Sequence, residues 1–172
     1  MKTPMLFTLV SFTQLLLITI LPLASADLID DTCKKMPDVD SCIAILRSDP
    51  RSSTADTPTL GLISVDTADS NAEVTLDEIK DLLGKSPDSK TKQALTSCEA
   101  SYGNIRSSLV PPSRESFTKG DYKFAVQYMN DAANTAAVCE AGFGGPKSPI
   151  YDANMFERNA GLLASAIASS LL

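Results

Sequence analysis

Four cysteines constrain this chain more than any other residue type. Cys33, Cys42, Cys98 and Cys139 all follow an apolar leader, and they fall into two groups. An even count behind a leader argues for a disulfide framework rather than a metal site. Four cysteines allow three connectivities. Cys33 and Cys42 bracket one turn near the start, whereas Cys98 and Cys139 lie on the apolar stripes of two separate helical stretches. Near with near is therefore the expected pairing. In the chain-entropy model a Cys98–Cys139 bridge closes about 42 residues for roughly 4 kcal/mol, and a Cys33–Cys42 bridge closes about 10 residues for roughly 2.7 kcal/mol.

The leader has the anatomy of a secretion signal. Lys2 supplies the positive start, residues 6–23 are mostly apolar, and Ala24-Ser25-Ala26 offers an A-x-A cleavage site. The expected division is a signal peptide over residues 1–26 and one domain over 27–172, ending up secreted to the extracellular space (apoplast) or the vacuole. The tail from Leu162 to Leu172 is apolar but amphipathic and lacks the polar spacer of a lipid-anchor signal. Once the signal is removed, no membrane attachment is expected. Loss of Lys2 takes the net charge from −6 to −7. Such an acidic chain is a poor nucleic-acid binder. It would be drawn at long range to a basic protein partner.

Proline and glycine divide the remainder. A segment from Asp27 to Lys35 leads through Pro37 to a short helix at about Val39–Ser48, which Asp49-Pro50 ends. Residues 27–50 thus read as a helical hairpin outside the main body. Thr57-Pro58 opens a long helix whose Gly61, Val65, Ala68, Ala72, Leu76, Ile79 and Leu83 recur at steps of three and four, closed by Gly84. The next helix carries Leu95, Cys98, Tyr102, Ile105 and Leu109 and is expected to stop at Pro111-Pro112. A short piece, Ser113 to Lys119, reaches Gly120. Asp121 then caps a helix with Ala125, Tyr128, Ala132, Thr135, Cys139 and Phe143 on one face. The last helix starts near Asp152 and carries Phe156, Ala160, Leu163, Ile167 and Leu171. Strand alternation is sustained nowhere. The expected fold is all-α: an antiparallel up-down four-helix bundle over residues 57–172, with an N-terminal helical hairpin and two disulfides.

The residues offer little to catalysis. The chain contains no histidine, the commonest general base and a common metal ligand. The carboxylate pairs, such as Asp77 with Glu78 or Asp81, sit on a polar helix face and read as solvated surface. Gly142, Gly144 and Gly145 have no following lysine of a phosphate loop and read as a helix end and turn. No catalytic residue, metal ligand or cofactor is expected. One stretch does invite a binding role: Asp121-Tyr122-Lys123-Phe124 opens a bundle helix beside a turn. A lysine suits a cleft lined by carboxylates, and a phenylalanine can anchor a buried contact. A storage-like or structural secreted bundle, or a small-molecule carrier, is the alternative class.

The ordered motifs resemble the plant invertase inhibitor and pectin methylesterase inhibitor family, including its pollen-expressed, allergen-like members. The likeness runs through Thr32-Cys33-Lys34-Lys35, Ser41-Cys42, the stretch from Leu46 to Asp66, Leu95-Thr96-Ser97-Cys98, Lys119 to Ala125, and Val138 to Phe143. It implies a non-catalytic inhibitor with a four-helix bundle, an N-terminal hairpin, and the bridges Cys33–Cys42 and Cys98–Cys139. It implies complex formation with a plant acid invertase, whose cleft a Pro-Lys-Phe motif enters in the family. Lys123 and Phe124 match that motif, and Tyr122 stands where the proline would be. The alternative partner is pectin methylesterase, met by the bundle helices, and Gly120-Asp121-Tyr122 fits either target.

Overall fold

The computed structural model describes residues 28–145 and 147–172. The leader expected over residues 1–26, and Asp27 after it, lie outside the described residues. All regular structure among the described residues is helical. Helix α1 is seen over residues 28–33, followed by α2 (Val39–Arg47), a 3₁₀ turn (Pro50–Thr54) and the long α3 (Thr57–Gly84). Then come α4 (Ser89–Asn104), a π-helical turn (Ile105–Leu109), α5 (Val110–Lys119), α6 (Tyr122–Gly142) and α7 (Tyr151–Ser169).

Aspartates start most of these helices. Asp38, Asp49, Asp56 and Asp88 each accept a backbone N–H from the first turn that follows. These bonds satisfy donors that a helix start otherwise leaves unpaired. The start of α3 falls one residue earlier than its Thr57-Pro58 pair suggests. Asp56 is the cap, accepting from Thr59 N–H at 2.9 Å, and Pro58 sits within the first turn.

The long helices α3, α4, α6 and α7 enclose one core, with α6 against α7, α7 against α3, α3 against α4, and α4 against α6. Their shared surface is built largely from small side chains, among them Ala68 and Ala72 of α3, Ala132, Ala133 and Ala136 of α6, and Ala160, Gly161 and Ala164 of α7. Small residues let the axes approach. A Cβ on Gly161 would come within 2.9 Å of the Met129 carbonyl oxygen and 3.1 Å of the Ala133 nitrogen. Gly61 makes the matching allowance on α3, where the Phe117 ring of α5 occupies the space a Cβ would need. Buried hydroxyls within α3 are satisfied by their own helix: Ser64 and Thr75 donate to the carbonyls of Leu60 and Asn71.

Both disulfides are present, Cys33 with Cys42 and Cys98 with Cys139, at Cα separations of 5.5 and 5.1 Å. The second ties α4 to α6. The first closes the turn between α1 and α2, while Arg47 at the far end of α2 donates to Asp30 of α1 at 2.9 Å. The two helices therefore run antiparallel as a hairpin. Instead of standing outside the main body, the hairpin contributes Ile29, Cys33, Cys42, Ile45 and Leu46 to the common core, and α2 packs on α3 and α7.

The region around Pro111-Pro112 departs from the sequence expectation. The chain does not stop being helical there, and the short piece from Ser113 to Lys119 is part of α5. The prolines sit in the first turn of α5, where their missing N–H groups cost nothing. Just before them the ladder widens to a π turn, in which Val110 N–H donates to the Ile105 carbonyl. One extra residue in the turn absorbs the mismatch that two prolines would force on a continuous α-helix.

Candidate functional site

The junction of α5 and α6 gathers the four residues singled out for binding. Helix α5 ends on Gly120, whose φ of 77° is left-handed. The Gly120 N–H reaches the Phe117 carbonyl, and the Asp121 N–H reaches Ser116 at 2.9 Å. That pair of bonds is a Schellman closure, which sets the angle at which the chain turns into α6. Glycine is needed at this one position because a Cβ disfavours the left-handed region. Asp121 takes the cap position of α6, and its carbonyl accepts the Phe124 N–H at 3.0 Å; its side chain makes no capping bond.

The next three residues face two ways. Tyr122 turns inward, its ring edge-on to Phe117 with centroids 6.1 Å apart. This contact fastens the first turn of α6 to α5. Lys123 and Phe124 turn outward, and the Phe124 side chain is 53% exposed. A shallow pocket of about 180 Å³ opens beside it, walled by Pro112, Lys119, Asp121 and Tyr128. The two lysines here differ. Lys119 is held by Glu115, a contact that raises the lysine pKa and lowers the glutamate's. Lys123 makes no ion pair with any described residue. The junction thus presents an unpaired cation and an exposed aromatic ring on a rigid corner. Such an arrangement can enter an acidic cleft.

Two polar assemblies were not anticipated from the sequence. The first lies on the outer face of α3, where Asp66, Asp69 and Glu73 follow a helical step. Arg51 and Arg114 both bind Asp66, Arg114 also reaches Asp69, and Arg106 spans Asp69 and Glu73. The ladder secures the 3₁₀ turn, the π turn and α5 to one helix. The second is buried. Glu157 of α7 is wholly inaccessible and accepts from Asn71 at 2.8 Å, while its other oxygen has no partner. Burial pushes its carboxyl up to about 8. Close by, Tyr102 donates to Asn154 at 2.8 Å, and Asn154 donates to Glu140 at 2.7 Å. Burial holds the Tyr102 phenol well above its ordinary value. Burial also raises Glu140, but bonds donated by Ser148 and Asn154 outweigh it and leave the carboxyl below the usual range. Asn154, Glu157, Ala160, Gly161 and Ala164 share a stripe at steps of three and four. That spacing was available in the sequence, but the face chosen there began at Phe156, which is 37% exposed, and passed over Glu157.

Among the described residues no cluster of histidine, cysteine and acidic side chains could hold a metal ion, and no helix is long and apolar enough to cross a membrane.

Residues 27–167 match the family model for plant invertase/pectin methylesterase inhibitors. The chain belongs to that family. Family members are proteinaceous inhibitors of enzymes, and their names divide between two targets. The chain is 40% identical over 127 residues to the cell wall / vacuolar inhibitor of fructosidase 1 of Arabidopsis thaliana, covering 74% of this chain and 60% of that protein. It is 33% identical over 123 residues to the pectinesterase inhibitor of Actinidia deliciosa, covering 72% and 66%. The matched stretch is thus under two thirds of either relative's length. Among solved structures, a mutant form of a pectin methylesterase inhibitor from Arabidopsis superposes with a TM-score of 0.71 at 18% identity, over 80% of this chain and 92% of the other. At that identity the likeness speaks for the helical bundle alone.

Proposed function

We propose that this chain is a secreted inhibitor of a plant acid invertase, a β-fructofuranosidase, and that it blocks the active-site cleft through the α5–α6 corner. The observation that carries the reading is the exposed Phe124 beside the unpaired Lys123 on a Schellman-closed turn. Lys123 faces the carboxylate pair that a retaining glycosidase needs. Phe124 fills the neighbouring subsite, Tyr122 anchors the corner to α5, and Asp121 lies at its rim. The 40% identity to an inhibitor of fructosidase supports the same target. Residues 1–26 are removed as a signal, residues 27–172 act as one inhibitory domain, and the protein works in the cell-wall space or the vacuole. The bundle supplies a scaffold and no catalytic chemistry, cofactor or metal.

A second reading has its own observation. Between α4 and α6 lies an open groove of about 670 Å³, in which Ser97, Ser101, Asn104, Asp131 and Asn134 alternate with the apolar Ala100, Leu109 and Val138. Its side chains suit a broad hydrogen-bonded contact with a pectin methylesterase, and the Actinidia deliciosa relative is named for that activity.

A paired titration separates the two. The oxidised protein is added in increasing amounts to a plant acid invertase and to a plant pectin methylesterase at mildly acidic pH. Near-stoichiometric loss of invertase activity alone is the expected result. Loss of esterase activity alone overturns the invertase assignment and moves the contact to the α4–α6 groove.

A further inference from the structure

The N-terminal hairpin and α7 enclose a second cleft, of about 460 Å³, remote in sequence from the α5–α6 corner. One wall is the turn of the hairpin, Met36 and Pro37. The other is the face of α7 that carries Met155, Arg158 and Leu162 at steps of three and four. Cys42 of the hairpin disulfide and the buried Leu163 also line it. The volume falls in the range of small-molecule sites, and its lining is more apolar than polar, with Asp38, Tyr151, Arg158 and Asn159 as the polar groups. Two methionines on opposite walls can adjust to an irregular aliphatic or aromatic body.

Arg158 gives the cleft its chemistry. The chain has five arginines, and Arg47, Arg51, Arg106 and Arg114 each bind at least one carboxylate. The Arg158 side chain has no ion pair or hydrogen bond with any described residue. The one carboxylate on the cleft wall, Asp38, is engaged elsewhere. It accepts the Ser41 N–H at 2.9 Å as the cap of α2, and the Asn159 amide of α7 at 3.2 Å. Those bonds hold the hairpin to α7 and leave the guanidinium unanswered. A planar guanidinium lining a partly apolar cleft is complementary to a carboxylate with an apolar tail, because it can bind both oxygens at once.

We propose that the cleft between the hairpin and α7 binds a small amphipathic monocarboxylate, with Arg158 receiving the carboxylate and Met36, Met155 and Leu162 covering the apolar body. The site is independent of the enzyme target and serves the protein whichever hydrolase it inhibits.

The test uses the disulfide-oxidised protein labelled with ¹³C at its methionine methyls, with Met36 and Met155 assigned by Met→Leu substitution. Sodium dodecanoate is the probe. The expected result is a saturable shift of the Met36 and Met155 signals, with that of the core residue Met129 fixed. Replacing the probe by dodecanol, or making Arg158→Gln, weakens binding by about tenfold, the scale of one lost charge-assisted contact. Arg158→Lys retains part of it. Absence of saturation below about 1 mM overturns the proposal, since weaker binding has no specific cleft behind it. Equal binding of dodecanol and dodecanoate, or movement of Met129 with the other two, overturns it as well. Shifts of Met36 and Met155 that follow protein concentration alone assign the cleft to a second copy of the chain and likewise overturn it.

Discussion

Glu157 illustrates how a single side chain links the core to pH. Its carboxyl lies between α7 and α3, out of water, with Asn71 as donor on one oxygen and Asp69 adding unfavourable charge. Burial raises it from 4.5 to about 8, so the native protein keeps this proton over a range in which the unfolded chain loses it. A native state that holds more protons loses stability as pH rises. The contribution is therefore intact below 4.5 and declines through the interval up to about 8. Urea unfolding should show a loss of about 3 kcal/mol from this group between roughly pH 5 and 7.5. Glu157→Gln imitates the protonated form and should flatten that part of the profile. Equal slopes for the two proteins would show that Glu157 is ionised in the native state. Asp49, Asp56, Asp88 and Glu140 are shifted the other way and lose their contribution as pH falls, so Glu157 sets only the neutral side of the profile.

Among the helices, the decisive property is how close the axes come. Gly161 of α7 faces the backbone of α6, and a methyl there would meet a carbonyl oxygen that cannot swing aside. Gly161→Ala should cost roughly 1–3 kcal/mol by overpacking, read as a lower thermal midpoint. Gly103 is the internal contrast. It lies within α4, with nothing within 4 Å of the place a methyl would take, so Gly103→Ala should stabilise by up to about 1 kcal/mol through helix propensity. If both substitutions moved the midpoint in the same direction, close approach would not be the reason for glycine at 161. The π turn and the paired prolines make a related point about α4 and α5. Proline marks a place where the ladder must change, and whether the chain leaves the helix or reopens it depends on what the following residues pack against. Here Val110 and Phe117 are buried, and Arg114 is held by the acids of α3.

At the scale of the molecule, two bridges and one corner divide the labour. The Cys98–Cys139 bridge joins α4 to α6 across 41 positions, so its loss should matter more than that of the nine-position hairpin bridge. Cys98→Ser should lower stability by roughly 4 kcal/mol and reduce inhibition through unfolding. An unaltered thermal midpoint would contradict that. The corner should behave in the opposite manner. Replacing Lys123 and Phe124 together by alanine removes exposed side chains only, so helicity and midpoint should hold while invertase inhibition weakens by at least about tenfold, as loss of an interface anchor does. A folded double variant with full potency would remove the corner from the contact.

Much of this was legible in the primary structure because it depends on local rules. The cysteine spacing, the three-and-four periodicity of α3 and Gly120 before Asp121 each act within a few residues, so they can be read directly. Helical class, two bridges and the position of the α5–α6 corner follow from them. What the sequence left open depends on neighbours distant along the chain. Periodicity placed Phe156 on the inner face and passed over Glu157, yet the facing Asn71 and the small residues of α3 admit the carboxyl. It set the hairpin outside the body, whereas Ile45 and Leu46 are completed by α3 and α7. It could not tell that Arg158 alone among the arginines lacks a carboxylate, since pairing is decided by which helix faces bring acids within reach. Sequence by itself determined the long helices and the covalent ties; only tertiary packing decided that the chain stays helical through Pro111-Pro112, which polar groups are buried, which are matched, and which remain available to a ligand, because burial and pairing are properties of surfaces that meet after folding.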